Sequence, residues 1–170
     1  MAFSTVTGSV LYDINITRVN CVADEYYCQN SVCSGMYRPP DLPIFNISCT
    51  FPITYTKLKL KFTSYYKYTV FRQALLNQQE DICEYFDNRG FNPMLKIFGD
   101  SVLKYSDFQG KKCPFENGTY SLINYEVSLE VLPPSFPDGQ YRFDVQLGNQ
   151  VKRQILLVQI FATLKNKILF

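Results

Sequence analysis

The residues in this sequence with the most obvious chemistry are its thiols. Six cysteines, Cys21, Cys28, Cys33, Cys49, Cys83 and Cys113, form an even set. Such a set can supply a nucleophile, ligands for a metal, or disulfides. A thiol nucleophile needs a base beside it, and the chain contains no histidine. Neither a Cys-His nor a Ser-His arrangement can therefore be assembled. Zinc fares no better: Cys28 and Cys33 have a permissive spacing, but no second matching pair follows and no histidine can complete a tetrahedron. The reading is no metal and no cofactor, with disulfides as the work of the thiols.

Three asparagines add a second kind of chemistry. Asn15-Ile16-Thr17, Asn46-Ile47-Ser48 and Asn117-Gly118-Thr119 are glycan acceptor sequons. In the first two, apolar residues alternate with the asparagine, which places each acceptor on the polar face of a strand, and Asn117-Gly118 is a turn dipeptide. All three are thus expected in solvent, where a glycan must go. Sequons together with paired thiols point to the secretory route and an extracellular protein. A signal segment would show an apolar core of ~7–15 residues. Met1 to Asn20 instead alternates and reads as a first strand, and no run reaches the ~18 apolar residues of a membrane span.

The remaining charged groups give no reaction. Glu80, Asp81 and Glu84 cluster beside Cys83 and read as a solvated turn around a disulfide. Lys57, Lys59 and Lys61 read as an exposed strand face whose charges discourage edge-to-edge pairing; attraction of an anionic surface is the other reading. The eight glycines are isolated, so no phosphate-cradling loop is present, and a net charge of +2 gives no basic stripe for nucleic acid. The expectation is a binding protein without enzymatic activity.

The elements that must position these groups are mainly strands. Lys57 to Phe62, Tyr125 to Val131 and Tyr141 to Leu147 alternate with period two, and Pro/Asn/Asp/Gly turns lie between such runs. Gln154 to Leu164 is apolar on both faces, as a strand buried in a sandwich would be. One segment departs. From Asn92-Pro93, the residues Met94, Leu95, Phe98, Val102 and Tyr105 fall three or four apart, which predicts a short amphipathic helix near 93–105 with Asn92 as its cap. Ser64 to Leu76 begins like a strand and ends like a helix or wide turn. The fold class is mainly β, an immunoglobulin-like sandwich or cup with one helix, in a single domain over 1–170. Aromatic residues make up 16% of the chain, with no tryptophan. Phe62, Phe71, Phe86, Phe98, Phe115 and Phe143 are expected to point between the sheets, either as a filled core or as the lining of an apolar cavity.

The order Asp81-Ile82-Cys83, Asn92-Pro93-Met94, Cys113-Pro114-Phe115 and Pro137-Asp138-Gly139-Gln140-Tyr141 resembles a large arthropod family of secreted proteins of unknown function. That family includes the insect chemosensory B proteins and is grouped with the ML (lipid-recognition) proteins, such as the ganglioside activator and the Niemann–Pick sterol carrier. The resemblance covers about Cys21 to Leu164 and is strongest from Asp81 to Phe143. It implies an ML-like sandwich that carries a lipid or other hydrophobic molecule between its sheets, with a role in chemosensation among the options. It also implies a Cys83–Cys113 pair bracketing the helix. The Cys28–Cys33 segment holds one more cysteine than the family pattern, which leaves the connectivity there open. The alternative is an extracellular protein–protein interaction module with a filled core, docking a cell-surface receptor or channel by a patch around Tyr65, Tyr66 and Tyr68.

Overall fold

A computed structural model describes residues 12–38, 41–86, 93–108, 111–126 and 136–166. In chain order these form β1 (Tyr12–Ala23), β2 (Gln29–Arg38), β3 (Asp41–Phe51), β4 (Leu58–Lys67), β5 (Phe71–Asp81), α1 (Ile82–Phe86), α2 (Pro93–Lys104), β6 (Gly118–Glu126), β7 (Gly139–Asn149) and β8 (Leu156–Asn166). The strands make two antiparallel sheets: a large one ordered β1-β8-β7-β4-β5 and a small one ordered β2-β3-β6. The architecture is a β-sandwich, as the alternation predicts, and α2 starts at Pro93 where the helical spacing places it. Asn92, read as its cap, and residues 127–131 of the Tyr125 run lie outside the described residues.

Alternation decides which way the large sheet faces. Leu58, Phe62, Tyr141, Phe143, Leu156, Val158, Ala162 and Leu164 are buried, while Lys59 and Lys67 on the opposite parity are exposed. β4 lies between β7 and β5, so the lysine row stands on an interior strand. It cannot guard a sheet edge, and that part of the expectation is corrected.

The ambiguous stretch Ser64 to Leu76 is strand throughout, apart from a bend at 68–70. Its mixed periodicity has a cause. The β4–β5 register slips between Thr63 and Tyr65, and Leu75 takes a left-handed φ of 74°. The buried Ser64 hydroxyl bridges the slip: it donates to the Ala74 carbonyl and accepts from the Leu76 amide at 3.0 Å. The bulge thus keeps its backbone groups paired inside the core.

The free edge of β6 is also covered. Ile123 N donates to Tyr105 O at 3.0 Å, and Asp107 N donates to Ser121 O at 3.1 Å. The segment after α2 therefore closes the small sheet and sets where the helix lies.

Candidate functional site

The two sheets are tied at one end by oxidised sulfur. Cys21 on β1 joins Cys33 on β2 with Cα atoms 5.8 Å apart, linking the large sheet to the small. Cys28 joins Cys49 at 5.1 Å, and Cys83 joins Cys113 at 5.5 Å. No cysteine is left free. Around this end packs an aromatic cluster in which Phe51, Tyr120 and Cys49 of the small sheet meet Leu58, Leu156 and Val158 of the large one, with Tyr55 and Phe115 between. Phe51 lies 4.4 Å from Tyr55 and 4.7 Å from Tyr120, centroid to centroid.

The other end is built differently. A second cluster holds Tyr12, Phe62, Leu76, Tyr141, Phe143, Ala162 and Leu164, all from the large sheet, with Phe136 from the segment before β7. Neither its buried members nor the partly buried residues packed on it come from β2, β3 or β6. Tyr141 and Phe143 stack at 5.8 Å, and Phe136 leans on both. The Tyr12 hydroxyl accepts from Phe136 N at 2.8 Å, which pins that segment to β1. In the small sheet, Phe45 and Tyr125 are buried cross-strand partners that join neither cluster. The Tyr125 ring instead meets Tyr105 after α2 at 5.8 Å. Among the described residues, both sheets thus contribute to the core at the disulfide end, and the second cluster is drawn from the large sheet and Phe136.

The predicted aromatic residues divide accordingly. Phe115 is in the first cluster; Phe62 and Phe143 are in the second. The side chains of Phe86 and Phe98 lie outside the described residues. Phe71 corrects the expectation. The short bend sets it opposite Lys67, so it shares that residue's outward face and lines a groove of about 340 Å³ on the outside of the large sheet. The tyrosine trio splits in the same way. Tyr65 lies outward beneath Arg142 at 4.1 Å, and Tyr66 packs inward on Tyr141 at 5.1 Å. Tyr68 is broadly exposed and its ring meets Tyr66 edge to face at 4.9 Å, so those two adjoin while Tyr65 lies apart under Arg142.

Asn15 and Asn117 are exposed. Asn46 is half-buried and engaged: its Oδ1 accepts from Asn124 N at 2.9 Å, where the β3–β6 register slips. Asn124 has a φ of 52°, so the sequon side chain holds a left-handed residue in place. A sequence pattern alone has no means of seeing this clasp. Asp81 Oδ1 accepts from Cys83 N at 2.8 Å, which makes the acidic cluster a local turn at the start of α1. Among the described residues, no group of three or more His, Cys, Asp or Glu could hold a metal ion, and no helix is long and apolar enough to cross a membrane.

Residues 57–143 match the model of a family described as "Protein of unknown function (DUF1091)". The match runs from the start of β4 into β7. It takes in the Cys83–Cys113 bridge and the large-sheet residues Phe62, Leu76, Tyr141 and Phe143 of the second cluster. No curated protein matches the chain.

Proposed function

The chain belongs to that family of unknown function, its match spanning just over half of the 170 residues, and from this premise we propose that it is a secreted, non-enzymatic carrier of a lipid or other hydrophobic molecule. The observation that carries the reading is the divided core. At the disulfide end both sheets contribute to one packed cluster, while among the described residues the second aromatic cluster is drawn from the large sheet and Phe136. An inner face that carries Phe62, Tyr141 and Phe143 suits an apolar guest, because burying such a guest against rings gains ~25 cal/mol per Å² of apolar surface. The resemblance to lipid-recognition proteins agrees with that geometry. Three disulfides fit an extracellular protein.

The chain has no tryptophan, which makes the test direct. Phe62→Trp places a single indole reporter in the second aromatic cluster. Organic extraction of the purified secreted protein should release a hydrophobic molecule visible by mass spectrometry. Adding that molecule back to the stripped variant should shift the indole emission to the blue. An empty extract, together with an emission unmoved by fatty acids or sterols, rejects the carrier.

A further inference from the structure

On its outer face the large sheet carries a groove lined from β1, β4, β5, β7 and β8. A β-bulge creates it. The β1–β8 register slips between Ile16 and Arg18, so that two consecutive residues, Thr17 and Arg18, are both exposed on the outer side. Thr17 Oγ1 donates to Phe161 O at 3.3 Å and holds the bulge. Arg18 then lies over the Phe161 ring, its Cζ 4.1 Å from the centroid. Phe161 meets Phe71 edge to face at 5.8 Å, and Lys67 Nζ stands 5.8 Å from the Phe71 ring. Gln140 and Thr163 add an amide and a hydroxyl to the wall, Tyr141 and Ala162 of the second cluster also border it, and no carboxylate lines the groove.

The contrast with Arg142 is informative. Its guanidinium, 4.1 Å over Tyr65, is gripped by Asp144 at 2.9 Å and 3.1 Å. Arg18 and Lys67 have ring contacts but no such counter-ion among the described residues. A guanidinium held over a ring keeps the N–H fork that matches a carboxylate or sulfonate. The two edge-to-face rings give the groove an apolar lining beside its cations. At about 340 Å³ the groove stands at the small end of ligand pockets. Asn15, the sequon residue, is the register partner of Thr163 on the groove wall, and a glycan there would bar a protein from this face. We infer that the groove is a second binding site, selective for a small organic anion with an apolar body.

The probe is naphthalene-2-carboxylate, with its uncharged amide as the control, titrated calorimetrically into the glycosylated protein at low and high salt. The carboxylate should bind more tightly than the amide and lose affinity as salt rises. Arg18→Gln and Lys67→Gln should each weaken it about tenfold, the usual scale for a charge-assisted hydrogen bond, with the amide's affinity unchanged. Both variants replace exposed side chains, and an unaltered thermal transition checks their folding. Equal binding of amide and carboxylate, unaltered affinity in both variants, or no binding at millimolar carboxylate overturns the site. Extraction of a lipid from between the sheets reads the carrier separately and should be the same in Arg18→Gln as in the native protein.

Discussion

Tyr55 is fully enclosed, and its hydroxyl donates to the Tyr27 carbonyl at the first turn of the chain. Burial pushes that hydroxyl from an ordinary 10.0 up to about 12. Burial also raises Tyr85, Tyr120 and Tyr141. Since the folded-state value exceeds the unfolded one, the stability contributed by neutral Tyr55 is complete below pH 10. It is lost as the pH climbs through about 12. Tyr55→Phe should cost about 1 kcal/mol near neutral pH, through the missing hydrogen bond. Between pH 10 and about 12 it should decline less steeply than the native protein. Urea unfolding at stepped pH measures both effects, and parallel curves would count against the assignment. Asp24 belongs to the same corner: its carboxylate pairs with Lys152 and accepts from Tyr26 N at 2.9 Å, interactions that hold its pKa below the ordinary 3.8.

At the scale of the element, the Cys83–Cys113 bridge closes a separation of 30 residues that contains α2. Removing it as the double alanine variant should lower unfolding stability by ~3–4 kcal/mol, because the unbridged chain regains its loop freedom when unfolded. Gly139 at the start of β7 is a second fixed point. Its φ is +155°, and a Cβ there would fall 2.5 Å from the Tyr66 ring. Gly139→Ala should destabilise by a further route, displacing Tyr66 from its hydrogen bond to Asp138 O at 3.0 Å; a thermal melt no lower than that of the native protein would refute this. Alternation made β4 and β7 legible, an apolar run on both faces made β8 legible, and helical spacing made α2 legible. The bulges were not. Ser64 satisfies two backbone groups across a slipped register, and a hydroxyl in an apolar run carries no mark of that duty. Phe71 was misplaced for a related reason: its outward face follows from a three-residue bend and its opposition to Lys67, not from its own neighbours in sequence.

For the whole molecule, paired thiols and a sandwich could be read from an even cysteine count and period-two strands. Which half of the core both sheets would share could not, since alternation gives the inner face of a strand without saying what stands opposite. The division has a dynamic consequence. Cys21–Cys33 and the first aromatic cluster link the small sheet to the large. Replacing both cysteines by alanine should cost ~3 kcal/mol, and amide exchange should quicken in β2, β3 and β6 before it does in β7 and β8. Uniform loss of protection across both sheets would mean that they unfold as one.

The clasp between Asn46 and Asn124 has a practical bearing on how sugar-free protein should be made. Replacing Asn46 would delete the acceptor for a left-handed backbone amide along with any glycan, so a misfolded product would say nothing about carbohydrate. Ser48→Ala abolishes the same consensus and leaves the Oδ1 in place. An amidase that trims the sugar converts the asparagine to aspartate, whose oxygen can still receive the Asn124 N–H.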